Sequence, residues 1–275
     1  MHLGLPPVHR QTLSMCTIII MFQPSLWADQ SAYSTPNHGG IYVIAHRGAH
    51  RDIPENTLAA YQRAIDLGAD FVEIDLRTTK DGYLVSIHDR TIDKYVIDGT
   101  KGSVRDFTLV QLKVLDIGSR IDAKWKNERV PTLDEILQLC KDKIGIYLDL
   151  KDADIEPVAR AIQAKGMQQS VVWCISPKQV AAMRAACPDC IPMPDPESEE
   201  TLRAMLRETT PKIVAPVWRD FSPTFAAKCH SAGALVFVDE RRSSEDNWQQ
   251  ALDWGADGIQ TDAPEQLIEF LSTRP

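Results

Sequence analysis

The sequence lacks an apolar run long enough to cross a membrane. Residues 13–22 (LSMCTIIIMF) form an apolar stretch near the N-terminus. That stretch is shorter than the roughly 20 residues that a transmembrane helix needs. We therefore expect no stable insertion of the chain into a membrane.

The chain also lacks a surplus of basic residues. Its 30 Lys and Arg residues against 38 Asp and Glu residues give a formal net charge of −8. A protein that reads the phosphate backbone of a nucleic acid normally carries a basic patch or stripe, so we expect no nucleic-acid partner. If such an acidic chain acts on an anionic substrate, it needs positive charge concentrated locally, from a metal ion or from well-placed Arg and Lys side chains.

No cysteine framework is present. Five cysteines follow residue 28, and an odd number does not make a disulfide scaffold. Cys187 and Cys190 have the spacing of a redox or zinc-binding pair, but no second pair exists to complete a zinc site. A local disulfide between them is the alternative to the interpretation we favour, two separate buried thiols.

The N-terminus has the pattern of a secretory signal peptide. Residues 1–10 contain His2, His9 and Arg10 but no acid, the apolar stretch follows, and a small residue, Ala28, precedes a polar segment. We predict a signal peptide over residues 1–28, a linker over 29–40, and one domain over 41–275. Export to the periplasm or the medium follows from this; the alternative is a cytoplasmic protein with an unstructured start.

From residue 41 onward, short apolar runs alternate with amphipathic helical patterns. This alternation predicts a parallel sheet, and at about 250 residues a closed TIM (β/α)₈ barrel is the usual outcome. A doubly wound open sheet is the alternative. The predicted strands cover residues 41–45, 71–76, 84–87, 145–150, 171–175, 213–217, 234–238 and 258–260. The predicted helices cover residues 55–67, 131–140, 154–165, 178–186, 197–208, 223–232 and 246–254.

Two features make the predicted barrel irregular. The link from Leu76 to Leu84 is too short for a helical crossover, so we expect either an irregular barrel or a hairpin-like excursion there. Residues 89–130 have no strand–helix rhythm, and we interpret them as a small insertion after the third strand, called the insertion from here on.

Two carboxylates lie on one face of the second predicted strand. Alternation of side chains along a strand places Glu73 and Asp75 on the same side. Two such acids inside a barrel mouth repel each other, and a hard cation that prefers oxygen ligands, Mg²⁺ or Ca²⁺, is the natural compensator. A single Glu-x-Asp is also common on a polar surface strand, so this motif alone does not decide the function.

Other predicted strands end in residues that can carry chemistry. The first strand ends at His46 and Arg47, the third at His88, and the fourth carries Asp149 and Lys151 on one face. Each of these residues taken alone has an ordinary structural explanation. Because the carboxyl ends of barrel strands build one active site, their combination with Glu73 and Asp75 favours a catalytic centre.

The ordered motifs resemble those of the glycerophosphodiester phosphodiesterase family. The resemblance spans residues 41–270 and rests on His46-Arg47-Gly48, Pro54-Glu55-Asn56-Thr57, Glu73-x-Asp75, His88-Asp89, Gly102-x-Val104, Thr108-Leu109, Arg129 to Glu135, and Gly255 to Pro264. It implies a metal-dependent TIM barrel that releases sn-glycerol 3-phosphate and an alcohol from a glycerophosphodiester. It also allows the substrate's own glycerol hydroxyl to be the nucleophile, through a cyclic phosphate that water then opens.

The resemblance assigns a role to each of these site residues. It implies catalytic histidines at His46 and His88, substrate-binding residues at Arg47 and Lys151, and ligands to one divalent cation at Glu73, Asp75 and Asp149. Two positions depart from the family pattern. Asp149 stands where the family usually has Glu, and residues 236–240 lack the usual Trp. The substrate and the choice between Mg²⁺ and Ca²⁺ therefore stay open. For Glu55 we hold two interpretations, orientation of Arg47 or a favourable charge in the first turn of the following helix.

Two other functions remain as alternatives. A lysophospholipase D-like enzyme would need a longer apolar cleft in the insertion, for which Val96, Ile97 and Phe107 are the candidates. A catalytically inactive binding protein on the same barrel would be expected to have lost a histidine or both acids of the second strand. Because the chain keeps them, we favour the enzyme.

Overall fold

The computed structural model describes Met1, residues 35–196 and residues 198–274. Apart from Met1, the predicted signal peptide lies outside these described residues, as does the first half of the predicted linker. Within them, no helix is both long enough and apolar enough to cross a membrane.

Eight parallel strands form a nearly closed barrel, which confirms the predicted TIM fold. Hydrogen-bonded neighbours run in the order β6-β5-β4-β2-β1-β9-β8-β7, and β6 and β7 meet at the remaining seam. A doubly wound sheet would reverse its strand order at a switch point, so that alternative is wrong. The strands are β1 Tyr42–Ala45, β2 Phe71–Thr78, β3 Leu84–Ser86, β4 Gly145–Leu150, β5 Val171–Ile175, β6 Ile191–Pro194, β7 Ile213–Val214, β8 Leu235–Asp239 and β9 Gly258–Thr261.

Strand β3 is the irregular member of the sheet. It pairs antiparallel with β2, with Leu76 opposite Ser86, and lies outside the ring of parallel strands. Gly82, at a φ of 85°, forms the connecting turn. The predicted hairpin-like excursion is therefore confirmed, and it carries the chain from β2 to His88 without a helix.

Helices surround the barrel and follow the predicted periodicity closely. In the described residues they are α1 Leu58–Leu67, α2 Leu109–Lys113, α3 Leu133–Cys140, α4 Ile155–Lys165, α5 Val180–Ala186, α6 Glu199–Thr209, α7 Pro223–Ser231, α8 Glu245–Asp253 and α9 Pro264–Ser272. Helix α1 begins at Leu58, three residues after the predicted start. Thr57 is its N-cap and accepts a hydrogen bond from the Ala60 N–H, and Asn56 before it has a left-handed φ of 56°.

Two hydrophobic clusters support the site. The larger joins the outer faces of the barrel strands to the surrounding helices. The smaller lies in and beside the insertion and includes Ile87, Ile92, Tyr95, Leu112 and Val130. The insertion therefore packs around an apolar centre of its own next to β3, and this centre fixes the segment that follows His88.

The expectation of two separate thiols at Cys187 and Cys190 is wrong. The two residues form a disulfide, with their Cα atoms 5.3 Å apart. The chain turns directly after α5, where the Cys190 N–H donates to the Cys187 carbonyl. That turn brings the two Cα atoms into the 4.4–6.8 Å range that a disulfide requires.

Candidate active site

The register between β2 and β4 brings the predicted acids together. Asp75 lies directly opposite Asp149 in this parallel pair, and Glu73 lies opposite Tyr147. Carboxylate oxygens of Glu73, Asp75 and Asp149 all lie within 4.8 Å of one another. The backbone pairing thus supplies the three-carboxylate cluster that the sequence predicted.

Burial and mutual repulsion make this cluster electrostatically unfavourable by itself. Burial, reinforced by Asp75 and Asp149, raises the pKa of Glu73 well above its usual value. Burial also raises the pKa of Asp149. Burial acts in the same direction on Asp75, but Lys151 and His88 outweigh it, so the pKa of Asp75 is lowered. A cation among these carboxylates would stabilise their ionised forms.

Lys151 provides positive charge at the edge of the cluster. Its Nζ lies 2.5 Å from Asp149 Oδ2 and 3.1 Å from Asp75 Oδ1. Burial opposes its charge, but Asp149 and Asp75 prevail and raise the pKa of Lys151. One ammonium against three carboxylates leaves an excess of negative charge, if all three are ionised.

The donor set fits a hard divalent cation. All three candidate ligands are carboxylates, which are the ligands that Mg²⁺ and Ca²⁺ prefer. Asp75 Oδ1 is buried and forms no directed hydrogen bond with the described residues, although it lies in ion-pair distance of Lys151. An acceptor oxygen buried in this way is suited to a metal ligand.

Both predicted catalytic histidines are held by a carboxylate. His46 Nδ1 lies 2.5 Å from Asp262 Oδ1, and His88 Nδ1 lies 2.7 Å from Asp89 Oδ1. An ionised carboxylate only accepts hydrogen bonds, so the proton of each neutral ring is assigned to Nδ1. Nε2 of each ring is then the nitrogen available to accept a proton.

His46 is the more deeply buried of the two histidines. Burial lowers its pKa, and the hydrogen bond to Asp262 opposes that shift only in part. His46 is therefore neutral near pH 7. This is the protonation state in which its Nε2 can act as a base.

Arg47 lies behind the acid cluster. With a left-handed φ of 54°, its backbone N–H donates to Glu73 Oε2 at 2.7 Å. Its guanidinium lies 3.3 Å from Glu55 Oε1 and 3.6 Å from Asp75 Oδ2. Glu55 precedes α1 instead of opening it, so the structure favours the first interpretation of Glu55, orientation of Arg47.

A buried polar network that the sequence did not reveal fixes Asp75. Asn56 Nδ2 donates to Asp75 Oδ2 at 2.7 Å, and Asn56 Oδ1 accepts from both Tyr61 and Ser86. All four side chains are buried. The contacts join β2, β3 and α1, so their spacing along the chain gives no indication of them.

Arg77 is a second residue whose role the sequence did not reveal. Its Nε and Nη2 both donate to the His88 carbonyl oxygen, at 3.0 and 2.6 Å. Its Nη1 donates to Asp152 Oδ2 at 2.9 Å. Arg77 therefore connects His88 to the segment that follows β4. In β2, Arg77 follows Glu73 and Asp75 at the same spacing of two residues. This alternation is the one signal in the sequence that could have drawn attention to Arg77.

One polar cavity lies at the carboxyl ends of the strands. Its volume is about 190 Å³, and its lining includes every predicted site residue except Arg47. The lining adds residues to which the sequence assigned no role in the site: Tyr147, Cys174, Asp195, Ala215, Val217, Asp239, Arg241 and Gln260. Val96, Ile97 and Phe107 do not line it.

Comparisons with known proteins identify the family of this chain. The model of the glycerophosphoryl diester phosphodiesterase family matches residues 46–184. A protein named glycerophosphodiester phosphodiesterase from Caldanaerobacter subterraneus is 33% identical over 243 residues, which cover 83% of this chain and 97% of that protein.

Solved structures of similarly named proteins share the fold. A glycerophosphodiester phosphodiesterase from Agrobacterium tumefaciens has a TM-score of 0.75 at 26% identity, covering 83% of this chain and 99% of its own. A phosphodiesterase from Oleispira antarctica in complex with the product sn-glycerol-3-phosphate has a TM-score of 0.73 at 22% identity, covering 84% of this chain and 97% of its own. At that identity, the second similarity supports the fold alone.

Proposed function

The chain belongs to the glycerophosphoryl diester phosphodiesterase family, and it is a phosphoric diester hydrolase. On that premise we propose that it cleaves glycerophosphodiesters to sn-glycerol 3-phosphate and an alcohol. In this proposal the reaction uses one divalent cation, and one of the two histidines, His46 and His88, is the base and the other is the acid. One observation carries the proposal: the three carboxylates and the two histidines, each held by a carboxylate, line a single cavity.

Each proposed role follows from the geometry. A divalent cation held by Glu73, Asp75 and Asp149 would neutralise charge on the non-bridging phosphate oxygens. Lys151, on the edge of the cluster, is placed to bind the same oxygens. One histidine removes the proton of the attacking hydroxyl through Nε2, and the other protonates the leaving alkoxide.

For Arg47 the structure supports a modified role. Its guanidinium contacts Glu55 and Asp75, and it does not line the cavity. Direct binding of the phosphate would require the guanidinium to leave Glu55. We propose that Arg47 acts mainly by holding Glu73, through its backbone N–H, and Asp75 in position.

The direct test is hydrolysis of glycerophosphocholine and glycerophosphoethanolamine by the purified protein, with Mg²⁺ or Ca²⁺. We expect release of glycerol 3-phosphate, loss of turnover in EDTA, and loss of turnover in His46→Ala and His88→Ala. His230→Ala is the matched control, because His230 also contacts a carboxylate, Asp257 at 2.8 Å, but lies outside the cavity. Wild-type activity in the His46→Ala, His88→Ala double variant would contradict the mechanism. Lysophosphatidylcholine belongs in the same panel, since preferential cleavage of it would favour the lysophospholipase D-like alternative.

We also propose that the protein is exported, with cleavage near Ala28. The pattern of residues 1–28 supports this, and so does the Cys187–Cys190 disulfide, because disulfides persist mainly in oxidising compartments. Sequencing the N-terminus of the protein recovered from cell fractions tests the proposal, with Ile19→Arg as the variant that breaks the apolar stretch. A chain that keeps residues 1–28 and stays in the cytoplasm would contradict it.

A further inference from the structure

Gln260 carries an acceptor atom that no described residue satisfies. Gln260 is only 5% exposed, and it lines the cavity described above from β9. Its Nε2 donates to Asp239 Oδ1 at 3.1 Å. A carboxylate cannot donate in return, so this contact fixes which end of the amide faces Asp239. Oε1 is left buried, without a hydrogen-bond donor among the residues that the structure describes.

The surroundings of Gln260 differ from those of the acid cluster. Asp239, on the neighbouring strand β8, also forms an ion pair with Arg241, whose Nε lies 3.0 Å from Asp239 Oδ1. All three side chains line the cavity, and β8 lies across the barrel from β4. We call Asp239, Arg241 and Gln260 the β8–β9 wall. It offers an amide acceptor, a carboxylate and a guanidinium, without an apolar surface.

We infer that the β8–β9 wall recognises a hydroxyl group of the substrate, with Gln260 Oε1 as the acceptor. A phosphate has no favourable contact with Oε1, because both are acceptors, and an acyl chain would leave Oε1 unsatisfied. A hydroxyl can donate to Oε1 and accept from Arg241 at the same time. This inference rests on the proposed function, which supplies a glycerol moiety with two hydroxyls.

The position of the wall selects one of those hydroxyls. The phosphate and its neighbouring hydroxyl belong near the carboxylate cluster and the histidines, where the reaction takes place. The hydroxyl left for the β8–β9 wall is the terminal one, furthest from phosphorus. In a 1-acyl lysophospholipid that position carries the acyl chain, so the wall favours deacylated glycerophosphodiesters over lysophospholipids.

The experiment compares two diesters that differ in one hydroxyl. One is glycerophosphoethanolamine, and the other is the same phosphoethanolamine diester built on propane-1,2-diol, which keeps the hydroxyl next to the phosphate and lacks the terminal one. We expect wild-type kcat/KM to favour the glycerol diester by at least ~10-fold, because a site built to hydrogen-bond a hydroxyl discriminates against an analogue without it. Gln260→Leu and Gln260→Met should bring that ratio towards one.

Gln62→Leu is the control, because the Gln62 amide also donates to a carboxylate, Asp66 at 2.7 Å, but from α1 and outside the cavity. It should keep the wild-type ratio. The inference is overturned if the wild-type enzyme cleaves both diesters equally well, or if both Gln260 variants keep the wild-type ratio. The wild-type ratio tests the inference even if the variants do not fold. If the wild-type enzyme hydrolyses neither diester, the proposed function fails together with the inference. If it hydrolyses both diesters equally well, only the inference fails, so the two failures are distinguishable.

Discussion

Arg77 illustrates how one side chain can hold a proposed catalytic residue, His88, without lining the cavity. It donates two hydrogen bonds to the His88 carbonyl and one to Asp152, and it does not line the cavity. Arg77→Met keeps the aliphatic part of the side chain and removes these donors. We expect kcat to fall about 10-fold or more while KM changes little, since small displacements of a catalytic group are costly.

The control for this prediction is Arg105→Met. Arg105 donates to the Asp152 carbonyl but makes no contact with His88, and its side chain is half exposed. Its kcat should stay within about 2-fold of wild type, as expected for a surface contact. Steady-state kinetics on both variants test the comparison. Equal losses in Arg77→Met and Arg105→Met would show that Asp152, not His88, explains the effect.

The His46–Asp262 pair gives a prediction with a defined sign on pH. Asp262 raises the pKa of His46 through its hydrogen bond and charge, against the larger lowering by burial. Asp262→Asn removes the charge, so the pKa of His46 should fall further. With neutral His46 taken as the base, the acidic limb of kcat/KM should then move to lower pH. We also expect kcat to fall by about 100-fold or more, since an amide no longer favours one ring tautomer. A pH profile tests this, and an acidic limb that moves to higher pH would contradict it.

The sequence was informative about the residues proposed to do the chemistry and much less so about the residues that hold them in position. Glu73, Asp75 and Asp149 lie within β2 and β4, where period-2 alternation places them on one face, and His46 and His88 follow the ends of β1 and β3. Barrel topology brings all five together. Asn56, Tyr61, Arg77 and Gln260 act through hydrogen bonds to distant parts of the chain, and those pairings exist only after folding. A buried Gln on an apolar strand is also a weak signal by itself.

At the level of elements, the pairing of β2 with β4 decides where the candidate metal ligands lie. Asp75 and Asp149 lie in the same register, and the three candidate ligand atoms lie within 4.8 Å of one another. Ca²⁺ accepts flexible arrangements of about 6–8 oxygen ligands, whereas Mg²⁺ demands near-octahedral geometry and is usually held by only one or two carboxylates. Three clustered carboxylates, one of them on the short Asp149 side chain, therefore favour Ca²⁺. We predict tighter binding of Ca²⁺ than of Mg²⁺ to the wild-type protein.

Asp149→Glu tests the same argument, because one added methylene lets the carboxylate approach a smaller ion. The ratio of Ca²⁺ to Mg²⁺ affinity should fall by about 3-fold or more, equivalent to roughly 0.7 kcal/mol. Isothermal titration calorimetry on both proteins measures it without relying on turnover. If the variant and the wild-type protein had the same ratio, the length of the side chain at position 149 would not determine the choice of metal.

Helices and strands with a clear hydrophobic periodicity were predictable from the sequence, and those that depend on tertiary contacts were not. Helix α1 was placed correctly, but its start was wrong because Asn56 takes a left-handed conformation to reach Asp75. Strand β6 (IPMP) was missed because two prolines remove backbone donors, although the strand still pairs with β5. Helix α9 was not singled out, since only the closing of the barrel shows what its apolar face packs against.

On the scale of the whole molecule, the barrel concentrates its least favourable charges at one point. Glu73 and Asp75 are almost completely buried, and Asp149 is close to them, in a chain whose formal net charge is already −8. The rest of the barrel must hold these carboxylates together against their repulsion. Folding stability and metal binding should therefore be linked, because the unfolded chain does not assemble the three ligands.

The linkage predicts that Ca²⁺ raises the melting temperature and that EDTA reverses the rise. At a free Ca²⁺ concentration 100 times Kd, the free energy of unfolding should increase by about 2.7 kcal/mol. For a protein of this size that corresponds to a rise in Tm of roughly 5–10 °C. Asp149→Asn should lose most of the rise, because it removes one ligand, whereas Asp134→Asn, at an exposed acid on α3, should keep it. Differential scanning calorimetry at fixed ionic strength separates this effect from screening, and the same rise in Asp149→Asn as in the wild-type protein would place the ion elsewhere.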